Sequence, residues 1–483
     1  MAGAAQSNLK KASTPSIVSG DKNNFMPRIG FAYSPFGGNK LVLRGGYGIF
    51  FERTTGAFAN SLRQSAPFFR ESQINDQSSY NTWATDYPVF PMPTIVVGFS
   101  SSGVPRVERA DVRGVTFEAF ECQMVDPHLA TPYTQQWNLN AQWEFKPGWM
   151  WELGYAGTKG TKLLSIYNIN RSMDIDKIGG FMARPGVPGG GFIGNYYGPS
   201  SGGVFVNLKT PPATCNMATP RSSCVINEEV RSPLLGFDED EGVNFLSSNA
   251  NSIYNSFQSS LQKRFAKGYM FKANYTFARS LDTFSDESQF QVEHDQLNPK
   301  SSRGLSDFHR KHRLITSGTW DLPFKGNRLV SGWSVSGIST LQSGRPFSIT
   351  DSLTSGYLYP NSNLRPSMAT GATYADLPTK GAVNERVRAY VNRSAIVASG
   401  PDFGNMGRNV IMGPDQRRID LVLSKMTRIR EKMSLELRSE FFNAFNTVTF
   451  RDPERNIGTA SFGEITRTRG GPRVIQFGLK LRF

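Results

Sequence analysis

The side chains able to do chemistry are few in this 483-residue chain, and they are scattered. There are four histidines: His128, His294, His309 and His312. His309 and His312 are near enough in sequence to suggest a metal pair, but Arg310, Lys311 and Arg313 beside them would repel a cation, so no metal is expected. Asp238-Glu239-Asp240-Glu241 offers hard oxygens for calcium without the ligand spacing of a calcium loop, and reads as a solvated acidic segment. Glu293-His294-Asp295 is the nearest approach to an acid–base group. The chain has no G-x-S-x-G turn, no H-E-x-x-H pair and no Gly-rich phosphate loop between a strand and a helix. Gly45-Gly46-Tyr47-Gly48 lies within an extended run, where glycine permits close backbone approach. These residues point away from an enzyme and call for no cofactor. Of the three cysteines, Cys122, Cys215 and Cys224, the last two could close a short loop in an oxidising compartment. A Cys215–Cys224 disulfide is expected, with Cys122 left unpaired.

If the chemistry is not catalytic, the charges must serve something else. Lys plus Arg number 54 against 39 Asp plus Glu, a formal charge of +15, which raises nucleic acid and anionic membranes as partners. The basic residues are spread singly along the chain rather than gathered in one patch or helix, so nucleic acid is not expected. No apolar run reaches the ~18 residues of a membrane-spanning helix. The mean hydropathy of −0.37 still suits a membrane barrel, which hides its apolar residues at every second position. Met1 to Gly20 carries Lys10 and Lys11 but no apolar core, and so does not read as a signal peptide.

Period two is the dominant pattern. Trp137, Leu139, Ala141, Trp143 and Phe145 alternate with Gln136, Asn138, Asn140, Gln142 and Glu144. Tyr269, Phe271, Ala273, Tyr275 and Phe277 alternate with Met270, Lys272, Asn274, Thr276 and Ala278. Eleven strands are predicted, at 28–34, 40–51, 134–145, 149–158, 253–265, 269–280, 311–322, 328–342, 417–427, 433–446 and 473–483. Most exceed the five or six residues usual in globular proteins and match the ~9–11 that a tilted membrane strand needs. Short connections such as Lys146-Pro147-Gly148 and Ala266-Lys267-Gly268 alternate with long ones at about 52–133, 159–252, 281–310, 343–416 and 447–472. A soluble sandwich has no reason to sort its connections by end, whereas an outer-membrane barrel has tight periplasmic turns and long extracellular loops. The domain reading is therefore an unstructured or truncated segment at 1–27 followed by a barrel over 28–483. Further strands are allowed from hairpins at Val204 to Leu208 or Arg386 to Val397.

The alternation assigns faces. Charges on a lipid face cost ~2–4 kcal/mol each at mid-bilayer, so Arg44, Arg264, Lys272, Arg313, Arg418, Arg438, Glu436 and Glu440 are expected to face the lumen. Six of the seven tryptophans fall within predicted strands. Trp143, Trp149 and Trp151 flank the turn at 146–148, where the periplasmic interface would lie. Phe477, Leu479, Leu481 and Phe483 form a terminal alternating strand ending in an aromatic residue, read as the signal to the barrel-assembly machinery. With short turns in the periplasm, strand 28–34 runs inward, so at least one outward strand is expected before it. The sheet is then expected to stay open, or to close only through a strained seam between 473–483 and the N-terminal strand.

Several segments resemble a known family. Pro27-Arg28-Ile29-Gly30-Phe31-Ala32-Tyr33-Ser34-Pro35, Leu43-Arg44-Gly45-Gly46-Tyr47-Gly48-Ile49-Phe50, Thr131-Pro132-Tyr133-Thr134-Gln135-Gln136-Trp137-Asn138 and Glu440-Phe441-Phe442-Asn443-Ala444-Phe445-Asn446 are similar to TonB-dependent outer-membrane transporters of the Oar-like type. The resemblance covers nearly the whole chain. It implies an all-β, antiparallel transmembrane barrel in the outer membrane of a Gram-negative bacterium, with about eleven to fourteen strands here of the ~22 in the full barrel. It also implies an N-terminal plug and energy-coupled passage of a large or scarce substrate, driven by TonB. The expectation is the C-terminal barrel portion of such a transporter, without signal peptide, TonB box or plug. It would meet outer-membrane lipid directly and TonB only through the missing part. The alternative is an outer-membrane surface-binding or adhesin-like barrel that transports nothing. The substrate is not named by the sequence.

Overall fold

The computed structural model describes residues 21, 23–36, 40–52, 94–99, 105–110, 122–169, 195–196, 204–205, 243–285, 298–352, 364–399, 403–430 and 433–483. All eleven predicted strands form. They are β1 (Arg28–Tyr33), β2 (Leu41–Phe51), β3 (Tyr133–Lys146), β4 (Trp149–Asn168), β5 (Val243–Ala266), β6 (Tyr269–Asp282), β7 (His312–Asp321), β8 (Trp333–Gln342), β9 (Gln416–Arg430), β10 (Met433–Phe442) and β11 (Val474–Arg482). Each pairs antiparallel with its sequence neighbour, so the sheet runs in chain order from β1 to β11 without a crossover.

The short turns are set by local chemistry. Lys267 and Gly268 between β5 and β6 have φ of 57° and 80°, the left-handed pair of a tight hairpin whose twist matches its strands. Gly148 supplies the same conformation after Pro147, at φ 77°. Between β7 and β8, the Asn327 side-chain oxygen accepts the N–H groups of Leu329 and Val330 at 3.0 and 3.2 Å. That turn holds residues 328–332 out of the ladder, so β8 begins at Trp333 rather than at the predicted 328. At the other end of the sheet, Asn443 and Asn446 turn left-handed at φ 50° each and stop β10 at Phe442, short of the predicted 446.

The larger differences lie in the long connections. β4 and β5 run for 20 and 24 residues, and their ladder continues through Lys159↔Ile253 to Asn168↔Asn244. This stretch was expected to be loop. Its Ser, Asn, Thr and Lys content shows no apolar alternation, and the side chains buried along it are mostly polar: Ser165, Asn168, Asn244 and Ser247 beside Leu246 and Ala250. Cys122–Val125 adds in parallel to the start of β5. Arg386 to Val397 is not a hairpin. Val383–Arg388 is helical, started by the Glu385 carboxylate accepting the Ala382 N–H at 3.1 Å, and Ile396–Val397 pairs instead with Ser367–Met368. Val204–Phe205 does pair, with Asn195–Tyr196, and a further hairpin joins Thr94–Phe99 to Pro105–Ala110.

The buried hydrophobic cluster of the described residues lies outside the wall; within the wall, burial of apolar side chains is confined to residues such as Leu246, Ala250 and Ala278. The cluster gathers Phe347, Ile349, Leu377, Ile396, Met406, Ile411, Ile457 and Ile465 from the two connections β8–β9 and β10–β11. Among the described residues the main sheet is open: β1 and β11 each have one neighbour, and every residue of both strands is exposed.

Candidate functional site

Register turns the alternation into two continuous surfaces. One row across the sheet runs Phe31, Gly45, Leu139, Tyr155, Phe257, Phe277. Five of these six are large apolar side chains and all five are exposed, Phe31 and Leu139 at 55%. Glycine has a packing role in this row, since a Cβ on Gly45 would overlap the Phe31 ring. The next row, one residue along, runs Arg44, Asn140, Gly154, Gln258, Thr276, Arg313, Gln342, Gln416. The row beyond it runs Gln142, Glu152, Ser260, Asn274, Ile315, Thr340, Arg418 on the same polar face. Water can wet the second surface; a wide exposed apolar face cannot remain in water without a partner.

The polar face carries the charges singled out by sequence. Arg44 Nη1 donates to Gln142 Oε1 at 2.9 Å. Arg418 pairs with Asp420 at 3.0 Å, Arg438 with Glu440 at 2.5 Å, and Arg482 with Glu436 at 2.5 Å. Lys272 lies opposite Gln262 and Ser317, and Arg264 stands at the bulge that ends β5. Exposed pairs of this kind contribute roughly 0–1 kcal/mol each, so they make a charged, wettable wall rather than a stability device.

Trp143, Trp149 and Trp151 lie together at the short-turn end of the other face. Trp143 is the register partner of Trp151, and Lys146 of Trp149. Phe145 joins them, 5.6 Å from Trp143 and 6.1 Å from Trp149 between ring centroids. Trp151 Nε1 donates to Ser259 Oγ at 2.9 Å. Phe477, Leu479 and Leu481 are exposed along β11, and Phe483 is 96% exposed. Cys215, Cys224, the acidic run 238–241 and Glu293 to Asp295 lie outside the described residues. The two neighbouring histidines face different partners. His309 Nδ1 accepts the Ser280 N–H at 3.3 Å, while His312 Nδ1 meets the Tyr275 hydroxyl at 2.8 Å.

Sequence reasoning missed the machinery at the long-connection end. Arg408 is buried there; Nη1 donates to Asp282 Oδ1 at 2.5 Å, and Nη2 to Asp307 Oδ1 and Ser285 Oγ at 2.8 Å each. Its neighbour Asn409 donates to Leu305 O and Asp307 Oδ1 at 2.6 and 2.5 Å. These bonds tie the β6–β7 and β8–β9 connections to the rim of β6. The partners are more than 100 residues apart, so no local spacing announces them. Also at this end, Arg310, Arg345 and Arg469 gather around Asp452 and Gln416. The arrangement has no acid–base or nucleophilic geometry. It offers hydrogen-bond donors and cations above a polar wall.

A sequential antiparallel sheet of long strands, apolar on one face and charged on the other, with turns sorted by length, is the wall of an outer-membrane β-barrel. The family model described as "Outer membrane beta barrel domain" matches residues 2–476. The chain belongs to that family, and its place is the outer membrane of a Gram-negative bacterium. Comparison with curated proteins returns no match. Among solved structures, similarity is found to the outer membrane transporter YddB from Escherichia coli, at 9% identity and TM-score 0.43, over 95% of this chain and 40% of that one. The siderophore receptor PirA from Acinetobacter baumannii is similar at 10% identity and TM-score 0.40, over 95% and 41% of the two chains. The ferripyoverdine receptor of Pseudomonas aeruginosa follows at 11% and 0.37, over 96% and 33%. This chain thus spans about two fifths or less of the length of these structures.

Proposed function

We propose that this chain is the C-terminal barrel portion of a TonB-dependent, Oar-like outer-membrane transporter. In this reading the apolar face meets lipid, the short turns lie in the periplasm and the long connections outside the cell. The polar face, with Arg44, Lys272, Arg313, Arg418, Arg438, Glu436 and Glu440, lines the passage. The observation that carries the reading is the segregation of exposed apolar rows from polar rows in register across the sheet, interrupted at Lys263, Arg417 and Lys425 on the apolar face and at Met270, Ile338 and Met426 on the polar face. The open edges at β1 and β11 support a wall completed by further strands, and the plug and TonB contact would reside in those other parts of the protein. The residues around 143–151 would anchor the periplasmic interface, and the strand ending at Phe483 would engage the barrel-assembly machinery.

A second reading has its own support. The buried cluster shared by the β8–β9 and β10–β11 connections makes an ordered head suited to surface binding without transport. Deleting the gene, and separately deleting TonB, separates the two. Transport predicts that both deletions abolish uptake of the same scarce solute. A surface-binding role predicts lost cell-surface attachment in the gene deletion and unchanged attachment when TonB is lost.

A further inference from the structure

Three guanidinium groups meet above the polar face. Arg310 leads into β7, Arg345 follows β8, and Arg469 precedes β11. Arg469 Nη2 and Arg345 Nη2 share one oxygen, Asp452 Oδ2, at 3.3 and 3.7 Å. With the Gln416 and Gln342 amides both turned, the Gln416 oxygen accepts from Arg469 Nη1 at 2.8 Å and from Arg310 Nη2 at 3.3 Å, and its nitrogen donates to the Gln342 amide oxygen. Arg310 Nη1 is fixed on the Ser343 carbonyl at 2.7 Å. Three cations are therefore linked through one carboxylate and one neutral amide. Burial, then Arg345 and Arg469, push Arg310 down to about 10, against the pull of Asp452. Like charges held this close, partly out of water, are screened less than charges on an open surface.

The imbalance is local. Lower on the same face, Arg418, Arg438 and Arg482 are each matched by a carboxylate. Gln342 and Gln416 are in register and belong to the polar row that also holds Arg44 and Arg313, so the cluster stands where that row reaches the long connections. Guanidinium forks match the oxygens of carboxylate and phosphate groups. We propose that Arg310, Arg345 and Arg469 form a binding site for an oxyanion, the carboxylate or phosphate group of a solute arriving at the mouth. The Gln416 amide oxygen marks where one ligand oxygen would sit, and Asp452 competes with the ligand for two of the three arginines. Only the further step, that the bound solute then passes along the wall, rests on the transport reading.

The test is calorimetric titration of the full-length protein in detergent micelles with citrate and with inorganic phosphate at fixed ionic strength, with maltose as the neutral blank. Binding of at least one anion and none of maltose is expected. Arg310→Gln and Arg469→Gln should each weaken it about tenfold or more, the loss of one charge-assisted contact. Asp452→Asn should tighten it roughly threefold or more, because the competing carboxylate is gone. A merely structural cluster would give the opposite result for Asp452→Asn, a lower unfolding midpoint with no gain in affinity. That result, or no binding of either anion to a chain with intact β-sheet circular dichroism, overturns the proposal. Anion binding with normal uptake in a gene deletion would leave the site standing and remove the transport reading.

Discussion

At the scale of single residues, Arg408 is the most consequential side chain outside the wall. It is buried with two carboxylates, one of them as buried as itself and the other half-exposed. Breaking a buried pair by removing one partner costs ~3–5 kcal/mol, because the remaining charge is stranded. Arg408→Met should therefore release the β6–β7 connection from the β8–β9 connection. Hydrogen exchange across 298–311 and 403–415 should accelerate by two orders of magnitude or more while the β3–β6 ladder is unchanged; unchanged protection would show that the network fastens nothing. His309 makes a related, pH-dependent contribution. Burial, then Arg279, Lys311 and Arg310, hold its pKa below the ordinary 6.5, so the folded state favours the neutral ring. The unfolded chain takes up the proton first. Stability is thus full above about pH 6.5 and falls as pH drops below that value toward the folded-state pKa. The thermal midpoint should decline on acidification through this window, and His309→Gln should flatten the decline.

At the scale of elements, two lysines show how a hairpin ends on an apolar face. Lys263 lies in register with Trp149 and Phe271, and Lys425 with Trp333 and Leu437, yet both are buried. Each bends back to its turn. Lys263 Nζ donates to Ala266 O and Tyr269 O at 2.7 and 2.9 Å and lies over the Tyr269 ring. Lys425 Nζ donates to Arg328 O at 2.8 Å and to Ser331 O, beside Trp333. The aliphatic stems stay with the apolar surface while the ammonium groups satisfy turn carbonyls. Lys263→Met or Lys425→Met should cost ~1–3 kcal/mol of unfolding free energy in micelles, since the carbonyls lose their donor. The exposed Lys159→Met should cost less than ~0.5 kcal/mol. The wall was legible in the sequence because period two survives in each strand separately, as in Trp137 to Phe145, and because Pro147-Gly148 and Lys267-Gly268 are local turn signals. The outer halves of β4 and β5 were not legible, since the side chains buried there are mostly polar, as at Ser165, Asn168, Asn244 and Ser247, and leave no apolar alternation. Nor was the site around Arg310, Arg345 and Arg469, whose members belong to three separate connections. Their grouping is a property of strand order and loop packing, which no short window of sequence contains.

At the scale of the whole molecule, the open sheet sets the energetics. Unpaired backbone groups cost several kcal/mol each in hydrocarbon, so two free strand edges cost on the order of tens of kcal/mol. The exposed residues of β1 and β11 show no packing that would offset this. The 483-residue chain, secreted by itself, is therefore expected to give no heat-modifiable, protease-resistant monomer in outer-membrane fractions; such a monomer would mean that β1 and β11 find each other unaided. The central claim, however, is that one face of this sheet is against lipid and the other against water. It is tested by labelling single cysteines with a membrane-impermeant maleimide in the full-length protein, in intact outer membranes, with Cys122, Cys215 and Cys224 replaced by serine. Asn140→Cys, Gln258→Cys and Thr276→Cys should react, and Leu139→Cys, Phe257→Cys and Tyr275→Cys should be protected, reactivity alternating with period two along β3, β5 and β6. Equal labelling of both sets, or faster labelling of the apolar set, would contradict the membrane-barrel account.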